Sequence, residues 1–537
     1  MVKKSAVIGL VLTFFLSVCL LRVSYLMSEG DPLSEASTGQ STKTLQVSFV
    51  RGTVYDRNGL PLTNVDSEIR AGIAPTGDAM RTLREQLSTE QRTPLLERLR
   101  EGNPIVARFD RWLPPTAGIV QFSTPLRYAA DGLAPHVIGY VDGDGNGVSG
   151  IEYAFEEWLE SCGGEQSVSF RVNGLGRVWE TDAERRSSLE NASAGVMLTL
   201  ESELQRLVEK NATMTRGAAI VADTSTGEIL AMVSRPDYDP TDLAAALSAE
   251  GSPLLNRAIT DYNLGSVFKI VTAAAALEMG IPTTRTYECV GAVEVGDTLH
   301  HCHHRLGHGL QTMEEAFANS CNPYFVQLAQ EVGAARLHAM AISLGLSRAL
   351  PLCDGWNTAR AVLPSLSTLF AEPSELANLA FGQGQLLATP LHLTALVGAV
   401  TGNGRWRSPT VVCGTVDRFG KLTAADRPSP TQVFSASTAA ALRRMMQRVL
   451  TDDGTSPDAA PLWGTAAGKS GTAETGWYED GEQVVQSWMV GYCPADAPRY
   501  TVVVLVENSI VSGERSAPIF RTLCEELYFY DLQKEKR

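Results

Sequence analysis

The first clear pattern along the chain is an uncharged apolar run near the N-terminus. Residues 5–21 carry no charged side chain, Lys3 and Lys4 precede them, and Arg22 follows. The run is close to the shortest length that can span a bilayer, and the apolar residues after Arg22 extend it. No small-residue cleavage site of the secretory type follows, so the pattern favours a retained anchor over a cleaved signal peptide or a buried helix. The two lysines predict that the body lies outside the cytoplasm.

Beyond the anchor, the patterning changes twice. Residues 28–44 are rich in Ser, Thr, Gly and Glu, which is typical of a linker. Residues 45–191 mix short strand-like and helical runs, whereas residues 192–537 show clear strands and long Ala-rich helices. We therefore predict a cytoplasmic tip and anchor at 1–27, then the linker, then an N-terminal domain and a C-terminal domain with these bounds.

The C-terminal domain begins and ends with strand-like patterns. Runs of β-branched and apolar residues predict strands at 196–200, 218–222, 229–233 and 500–506. Helical spacing predicts helices at 269–279, 334–346, 375–380, 436–450 and 517–532. Strands at both ends of a helical middle indicate an α+β fold whose sheet is completed late in the chain.

Composition and charge exclude several classes of protein. The 537 residues are 44% hydrophobic and 20% charged, which is typical of a globular chain with more than one domain. The net charge of -15 disfavours binding to DNA or RNA, so no nucleic-acid partner is expected. The nine cysteines form no CxxC pair, and their odd number excludes a disulfide scaffold in which every cysteine is paired.

The first candidate for chemistry is Ser266, three residues before Lys269, at the predicted start of a helix. This spacing places both side chains on one helix face. A serine hydroxyl needs a nearby base to act as a nucleophile, and lysine can serve only if burial or a nearby cation lowers its pKa. Free backbone N–H groups at the helix start would suit a developing oxyanion. Alone, the pattern is equally typical of a helix cap followed by a solvated lysine.

Two further short motifs follow. Ser320, Cys321 and Asn322 come directly after a helical run, where a hydroxyl and a carboxamide could relay a proton and hold a substrate amide, or simply cap the helix. The segment Lys469-Ser470-Gly471-Thr472 offers a cation, two hydroxyls and a glycine that permits close approach to a strand. A phosphate-binding loop is the alternative interpretation, but the first glycine of that motif is missing.

The three motifs together are far more specific than any one of them. SxxK, SxN and KSG occur here in the order found in penicillin-binding proteins and serine β-lactamases. Further matching segments lie at 51–59, 135–140, 150–152, 221–223, 227–232, 256–258, 382–384, 389–390 and 403–404. The chain resembles the class B penicillin-binding proteins, which are peptidoglycan D,D-transpeptidases, over nearly its whole length. Leu264 departs from the family pattern by replacing the proline usual before Gly-Ser.

The resemblance implies a fold and a set of residue roles. The expected fold is an antiparallel sheet flanked by helices with a helical subdomain, on an elongated N-terminal pedestal and preceded by one transmembrane helix. The implied catalytic residues are Ser266 as nucleophile, Lys269 as base, Ser320 as proton relay and Asn322 as amide ligand. The implied substrate-binding residues are Lys469, Ser470, Gly471 and Thr472.

The resemblance also implies partners. Peptidoglycan stem peptides, lipid-linked or in nascent glycan, are the expected substrates, and β-lactams are the expected inhibitors. The cytoplasmic membrane is the expected location, and a membrane glycosyltransferase is a candidate partner. No metal and no organic cofactor is expected. Septal, elongation and spore-cortex roles all fit the resemblance.

Three other sequence features have interpretations that give them no catalytic role. His300, His301, His303, His304 and His308 crowd around Cys302, but their irregular period disfavours a metal site. The resembled family implies that Cys289 and Cys302 can pair, and a compartment outside the cytoplasm permits this. Glu372 and Glu375 are similar to the loop glutamate of class A β-lactamases, but their position in sequence differs from that loop.

Three rival functions are kept for testing. A bifunctional synthase would need a glycosyltransferase domain, and residues 45–191 leave little room for one. A β-lactamase or a β-lactam sensor of the same fold would hydrolyse the acyl-enzyme or signal rather than cross-link. A non-catalytic cell-wall scaffold is expected to carry decayed motifs, whereas all three motifs are intact here.

Overall fold

The computed structural model describes residues 2–28, 42–173, 175, 177–479, 481–510 and 513–536. Its contacts define two compact units, which are described separately. The smaller unit comprises Met1–Gly52, Asn64–Arg127 and Cys162–Ser193, and the larger comprises Thr53–Thr63, Tyr128–Ser161 and Ala194–Arg537.

These units are not the two predicted domains. Two segments from the predicted N-terminal domain, 53–63 and 128–161, make their contacts within the larger unit. The boundary after residue 191, between the predicted N-terminal and C-terminal domains, stays a prediction. The predicted linker at 28–44 lies mostly outside the described residues, and positions 42–44 already belong to the first strand.

Strands and helices are numbered in chain order through the described residues. The strands are β1 Thr42–Val50, β2 Thr53–Tyr55, β3 Ser67–Ile73, β4 Ile105–Phe109, β5 Ile119–Pro125, β6 Gly164–Val172, β7 Val178–Ser187, β8 Gly195–Leu198, β9 Gly217–Asp223, β10 Ile229–Arg235, β11 Tyr262–Asn263, β12 Thr286–Cys289, β13 Ala292–Val295, β14 Thr298–His301, β15 Gly309–Thr312, β16 Pro351–Cys353, β17 Trp356–Asn357, β18 Leu387–Ala388, β19 Arg405–Trp406, β20 Val412–Val416, β21 Leu422–Ala424, β22 Thr431–Gln432, β23 Ala467–Glu479, β24 Glu482–Cys493 and β25 Tyr500–Ile510. The α-helices are α1 Val2–Ser28, α2 Gly77–Gln86, α3 Thr89–Arg100, α4 Pro135–Ile138, α5 Gly150–Ala154, α6 Glu156–Ser161, α7 Ser202–Asn211, α8 Leu243–Ser248, α9 Lys269–Glu278, α10 Met313–Ala318, α11 Asn322–Val332, α12 Ala334–Ser343, α13 Leu366–Ala371, α14 Pro373–Ala380, α15 Pro390–Thr401, α16 Ala436–Val449 and α17 Ser516–Glu535. Short 3-10 helices lie at Leu189–Ser193, Gly265–Phe268 and Pro457–Ala459.

The N-terminal helix α1 is long and apolar enough to cross a membrane. Its central segment Val7–Tyr25 has a mean hydropathy of 2.3, and none of that segment is buried. The hydroxyls of Thr13 and Ser17 each donate to the carbonyl four residues earlier, at 2.8 Å. These bonds satisfy polar groups inside the helix itself, as an apolar surrounding requires.

The smaller unit contains two three-stranded antiparallel sheets. Their strand orders are β1-β6-β7 and β4-β3-β5. Helices α2 and α3 begin at Thr76 and Ser88, whose hydroxyls accept a backbone N–H three residues on. Leu83 of α2 and Leu99 of α3 join Ile73 of β3 in one buried apolar cluster.

The larger unit is built around a five-stranded antiparallel sheet. The strand order is β10-β9-β25-β24-β23. The strands β23, β24 and β25 therefore complete a sheet whose first strands, β9 and β10, end at Arg235, 232 positions before β23 begins at Ala467. Successive residues of β9 and β10 are buried, which shows that both faces of these strands are covered. Helices α15 and α17 contact the sheet at β25 and β24. The predicted α+β architecture is confirmed.

The helical part of the larger unit is centred on α9. Every residue from Lys269 to Ala276 is buried, and the four successive alanines of this helix let its neighbours approach closely. Helices α11, α12 and α16 all contact it. The hydroxyl of Thr272 donates to the Ala380 carbonyl at 2.8 Å, which ties α9 to the end of α14.

The predicted elements of the C-terminal domain are found with small shifts at their ends. The predicted strand at 500–506 extends to Ile510, and the predicted helix at 517–532 runs over Ser516–Glu535. The predicted strand at 196–200 corresponds to β8, which pairs with β2 and β20 in a separate sheet of order β2-β8-β20-β21.

Helix α15 carries a buried histidine with a defined hydrogen-bonding pattern. His392 Nδ1 lies 2.8 Å from Thr389 Oγ1 in the capping box that starts the helix, and Nε2 lies 2.8 Å from the Arg348 carbonyl. Nε2 therefore carries the proton and donates to the carbonyl. Burial lowers the pKa of His392 to about 4, against the opposing effect of the bond to the Arg348 carbonyl.

We predict that this histidine makes the fold less stable in mild acid. Between pH 6.5 and about 4 the unfolded chain binds a proton at His392 that the folded chain does not, so the free energy of unfolding falls as the pH falls. The loss amounts to about 3 kcal/mol over this window. Urea unfolding of the detergent-solubilised chain should show a flatter pH dependence for His392→Gln. The partly exposed His338→Gln is the control, and equal slopes for wild type and His392→Gln would contradict the assignment.

Candidate active site

A cleft in the larger unit brings the three sequence motifs together. Its volume is about 1100 Å³, and its lining includes Ser266, Ser320, Asn322, Ser470 and Thr472. All eight residues predicted for the site lie in or directly beneath it. The two lysines, Lys269 and Lys469, are fully buried.

Ser266 lies in the 3-10 turn that leads into α9, so the predicted helix start is correct but its first turn is tighter than an α-helix. The turn presses against β23 through glycines on both sides. Gly265 has a φ of +58°, and a Cβ there would lie 2.6 Å from the Thr472 carbonyl oxygen. A Cβ on Gly471 would lie 2.8 Å from Val267 Cγ2. Any larger residue at either position would push the nucleophile turn away from the strand.

Ser320 occupies the turn between α10 and α11. Its φ of +51° is unusual for a residue other than glycine and reverses the chain there. The turn is held by a bond from the Cys321 N–H to the Ala316 carbonyl at 2.9 Å, and Pro323 favours the first turn of α11. The strained backbone directs the Ser320 side chain towards the two lysines.

The Lys269 amine connects the first two motifs. Its Nζ lies 3.0 Å from Ser266 Oγ, 2.7 Å from Asn322 Oδ1 and 2.6 Å from the Ser320 carbonyl oxygen. Ser320 Oγ is also within 3.2 Å. The nitrogen of the Asn322 carboxamide, Nδ2, donates to the His301 carbonyl at 3.1 Å. One amine therefore contacts both serine hydroxyls and orients the carboxamide.

The Lys469 amine approaches Ser320 from the third motif. Its Nζ donates to Ser320 Oγ and to the Ser470 carbonyl, each at 3.0 Å. Aromatic rings flank both amines, with Phe325 5.7 Å from Lys269 Nζ and Phe317 5.8 Å from Lys469 Nζ. Ser320 Oγ thus lies between two buried amines.

Burial changes the protonation of both lysines. Removal from water lowers the pKa of Lys269 to about 7. It also lowers the pKa of Lys469 well below its usual value, and the neighbouring Lys269 lowers it further. None of the described hydrogen-bond partners of these amines is a carboxylate. Both shifts disfavour a state in which the two amines are positively charged together.

The far side of the cleft offers hydroxyls along β23. Ser470 and Thr472 alternate with the buried Lys469 and Gly471, so both hydroxyls face the cleft. Ser470 Oγ lies 3.4 Å from Thr455 Oγ1. On the opposite wall the lining includes Asn378 and Gln383 but not Glu372 or Glu375.

The histidine-rich segment is arranged differently from the expectation. His300 is buried with its ring 6.1 Å from that of Phe381, and His301, His303 and His304 are exposed. His308 instead meets Cys302 in a group that also contains Cys289 and Cys321, with all four potential ligand atoms within 4.8 Å of one another. The sulfurs of Cys289 and Cys302 are free thiols and form no disulfide.

The histidine pattern gave no sign of this group, because the crowded histidines around Cys302 have an irregular period and the other cysteines are distant in sequence. The signal that could have found it is the spacing of 13, 6 and 13 positions that separates Cys289, Cys302, His308 and Cys321. Residues so spaced meet only if the intervening chain forms hairpins, which the histidine period does not reveal.

Comparison with known proteins decides the family. The family model of the penicillin binding protein transpeptidase domain matches residues 217–525. The chain belongs to this family.

Relatives of this transpeptidase-family chain cover most of its length. Stage V sporulation protein D of Bacillus subtilis (strain 168) is 28% identical over 521 residues, covering 89% of this chain and 77% of the relative. Peptidoglycan D,D-transpeptidase FtsI of Escherichia coli (strain K12) is 27% identical over 541 residues, covering 93% and 87%.

Solved structures show the same fold. Penicillin binding protein 3 from Mycobacterium tuberculosis, complexed with aztreonam, has a TM-score of 0.66 and 25% identity, covering 92% of this chain and 97% of that chain. The D,D-transpeptidase domain of a peptidoglycan glycosyltransferase from Eggerthella lenta has a TM-score of 0.65 and 25% identity, covering 90% and 99%. The predicted family and fold are confirmed.

We predict that the Lys269 amine must be able to lose its proton. Lys269→Arg keeps a positive charge but cannot supply a neutral amine, so acylation of Ser266 by a fluorescent penicillin should slow by about 10²–10⁴-fold. Time courses of in-gel fluorescence measure the rate. Lys210→Arg, at an exposed position of α7, is the matched control. Acylation of Lys269→Arg at nearly the wild-type rate would show that Lys269 is only structural.

Proposed function

We propose that this chain is a serine-type peptidoglycan D,D-transpeptidase that cross-links stem peptides through an acyl-enzyme. The observation that carries the proposal is the position of the Lys269 amine, 3.0 Å from Ser266 Oγ and in contact with both polar side chains of the second motif. Membership of the penicillin-binding transpeptidase family supports it.

In the first half-reaction, Ser266 Oγ attacks the carbonyl carbon of the penultimate D-Ala residue of a stem peptide. Its proton moves to the neutral Lys269 amine as the C–O bond forms. The peptide bond to the terminal D-Ala then breaks, and its nitrogen takes a proton relayed through Ser320 Oγ, which lies 3.2 Å from Lys269 Nζ. The products are free D-Ala and an ester on Ser266.

The remaining site residues hold the donor peptide. Asn322 would bind the amide on the acyl side, and the hydroxyls of Ser470 and Thr472 would bind the terminal carboxylate. A carboxylate bound there would favour the charged form of Lys469, and that charge would keep Lys269 neutral. Backbone N–H groups of Ser266 and Thr472 would stabilise the oxyanion, each by about 3–4 kcal/mol.

In the second half-reaction, an amine of a neighbouring stem peptide attacks the ester carbonyl. The new amide bond forms, the bond to Ser266 Oγ breaks, and a proton from the amine returns to the serine. β-Lactams would enter the same path because they present a strained amide beside a carboxylate. Because the amide that breaks in a β-lactam is part of a ring, its amine stays attached to the ester on Ser266 and no leaving group diffuses away.

The rival hydrolytic function requires a carboxylate that activates water at the ester. Glu372 and Glu375, which resemble the loop glutamate of class A β-lactamases, are not among the residues that line the cleft. Glu375 Oε1 instead accepts from the Asn378 amide at 3.3 Å. The placement of these two glutamates does not support a hydrolytic role for either of them.

The cellular setting follows from α1. A single membrane-spanning segment at Val7–Tyr25, with Lys3 and Lys4 before it, would leave the body outside the cytoplasm, where peptidoglycan is assembled. A membrane glycosyltransferase that makes the glycan strands is the proposed partner. Residues 45–191 are proposed as the pedestal domain and residues 192–537 as the transpeptidase domain.

We predict that a penicillin acylates Ser266 stoichiometrically and that the ester lasts many minutes to hours. Intact-mass analysis should show one adduct per chain, Ser266→Ala should show none, and nitrocefin should not be turned over. Label that persists in Ser266→Ala would overturn the choice of nucleophile. Several nitrocefin turnovers per second would favour the β-lactamase function instead.

We also predict the orientation of the chain in the membrane. Protease added to intact protoplasts should digest the body and spare an epitope tag placed before Val2. The same tag should become sensitive when the membrane is dissolved. Digestion of the tag in intact protoplasts would reverse the orientation, and loss of the first 26 residues from membrane-extracted protein would show a cleaved signal.

A further inference from the structure

Three buried thiols and one imidazole meet beside the candidate active site. Cys289 ends β12, Cys302 follows β14, His308 precedes β15, and Cys321 lies in the turn before α11. Their potential ligand atoms all lie within 4.8 Å of one another. The exposed fractions of the three cysteines are only 1%, 1% and 0%. Cys302 and His308 share the loop between β14 and β15, whereas Cys289 and Cys321 come from other parts of the chain, so the convergence of the four is a product of the fold.

The spacing of the atoms fits a tetrahedral metal ion. His308 Nδ1 lies 3.7 Å from Cys289 Sγ and 3.5 Å from Cys302 Sγ. Ordinary Zn–S and Zn–N bond lengths place sulfur and nitrogen ligands roughly 3.6 Å apart in a tetrahedron. Three thiolates and one imidazole are a soft donor set that favours Zn²⁺ over Mg²⁺ or Ca²⁺. Four protein ligands close the coordination shell, as in structural zinc sites.

The surrounding segment contributes few buried side chains to the apolar core of the larger unit. Between Cys289 and Gly309 the chain forms a hairpin of β13 and β14, and the buried side chains apart from the cysteines are Val295 and His300. Leu299 and Leu306 are exposed in this segment. A small segment with so little buried apolar surface commonly needs a metal or a disulfide to fix its shape.

Close backbone contacts shape the loops that carry the ligands. A Cβ on Gly307 would lie 2.2 Å from the Cys289 carbonyl oxygen, and one on Gly291 would lie 2.1 Å from the Arg305 carbonyl oxygen. The Cys302 N–H donates to the Gly291 carbonyl at 2.9 Å. These contacts aim the side chains of Cys289 and Cys302 at one point.

The same segment contacts the second active-site motif at two places. Cys321 stands between Ser320 and Asn322, and the Asn322 amide donates to the His301 carbonyl at 3.1 Å. The backbone at Ser320 is in the left-handed region, with a φ of +51°. A bond from Cys321 to a fixed ion would hold this strained turn in the conformation that places Ser320 Oγ between the two lysines.

We propose that Cys289, Cys302, His308 and Cys321 bind one Zn²⁺ ion in a closed tetrahedral site that positions the turn of Ser320 and Asn322. The ion has no open coordination position and takes no part in the acyl transfer. The expectation of a chain without metal, based on the resemblance alone, is thereby replaced. The positioning effect rests on the proposed function, whereas the metal site itself does not.

The ligand set is tested by metal content, which is independent of activity. The full-length chain in detergent, purified without chelator, should hold one zinc per chain by elemental mass spectrometry. His308→Ala and Cys302→Ser should hold less than about a tenth as much, while His308→Cys, which retains four ligands, should keep the ion. Cobalt exchanged into wild type should give the visible bands and thiolate charge-transfer band of a tetrahedral site.

Two variants serve as controls, one at a histidine near the proposed site and one at a buried cysteine away from it. His304→Ala removes an exposed histidine whose ring lies 5.1 Å from that of His308, and Cys493→Ser removes a buried cysteine elsewhere. Both should keep the full zinc content. Loss of zinc from His304→Ala as complete as from His308→Ala would overturn the ligand assignment. Wild type that holds no zinc after reconstitution under reducing conditions, or a disulfide among the three cysteines in the native protein, would overturn the site.

The positioning effect is tested on wild type, so that misfolding of a variant cannot confuse it. Removing the ion with a chelator should slow acylation of Ser266 about 100-fold, because small misplacements of a catalytic group have effects of this size, and added Zn²⁺ should restore the rate. An unchanged rate without the ion would overturn the positioning effect. Zinc bound by a protein that no penicillin acylates would instead contradict the proposed function and leave the metal site standing.

Discussion

The candidate active site is organised around two lysine amines that the fold keeps out of water on either side of Ser320. Lys269 and Lys469 are fully buried, and their described partners are hydroxyls, carbonyls and one carboxamide. A buried ammonium ion without a counter-charge is unfavourable, so burial favours the neutral amine. The free-energy cost of this arrangement falls on the folded state and is offset by packing around α9, whose residues are buried throughout.

The sheet determines how the motifs meet. Strand β23 lies at the edge of the five-stranded sheet, and the turn that carries Ser266 rests against it through Gly265 and Gly471. An edge strand has one row of backbone groups that is not paired within the sheet, which allows an extended peptide to align beside it. Ser266, the hydroxyls of the third motif and the edge of the sheet are therefore adjacent because two glycines permit the contact.

The second motif is held less directly. Its turn has a left-handed residue, Ser320, and it is flanked by a segment with few buried side chains. The group of Cys289, Cys302, His308 and Cys321 gives that segment a common centre next to the motif that contains Ser320. A metal at this centre would stabilise the turn without contacting substrate. Its role would be structural and not catalytic. The same family fold could then tolerate a small, exposed hairpin beside its cleft.

Much of the fold followed from local pattern. Apolar periodicity predicted α1, the buried strands β9, β10 and β25 and the long helices, because each has a length and spacing that its own residues impose. The three motifs and their order indicated the family, since serine, lysine and glycine at those spacings serve one kind of chemistry. The eight candidate site residues were also identified in this way, although sequence could not show that they share one cleft.

Other features depended on contacts between distant parts of the chain. Segment 53–63 belongs with the larger unit because β2 pairs with β8, and segment 128–161 is tied to the same unit by contacts such as the bond from the Trp158 indole N–H to the Gly195 carbonyl at 2.9 Å. Local pattern does not encode these contacts. Likewise, only packing selects His308 from five neighbouring histidines and brings it to three cysteines. The sequence by itself determined which residues could act and which elements carry them. The tertiary structure decided which of them meet and which lysines lose contact with water, because distance and burial arise from long-range packing.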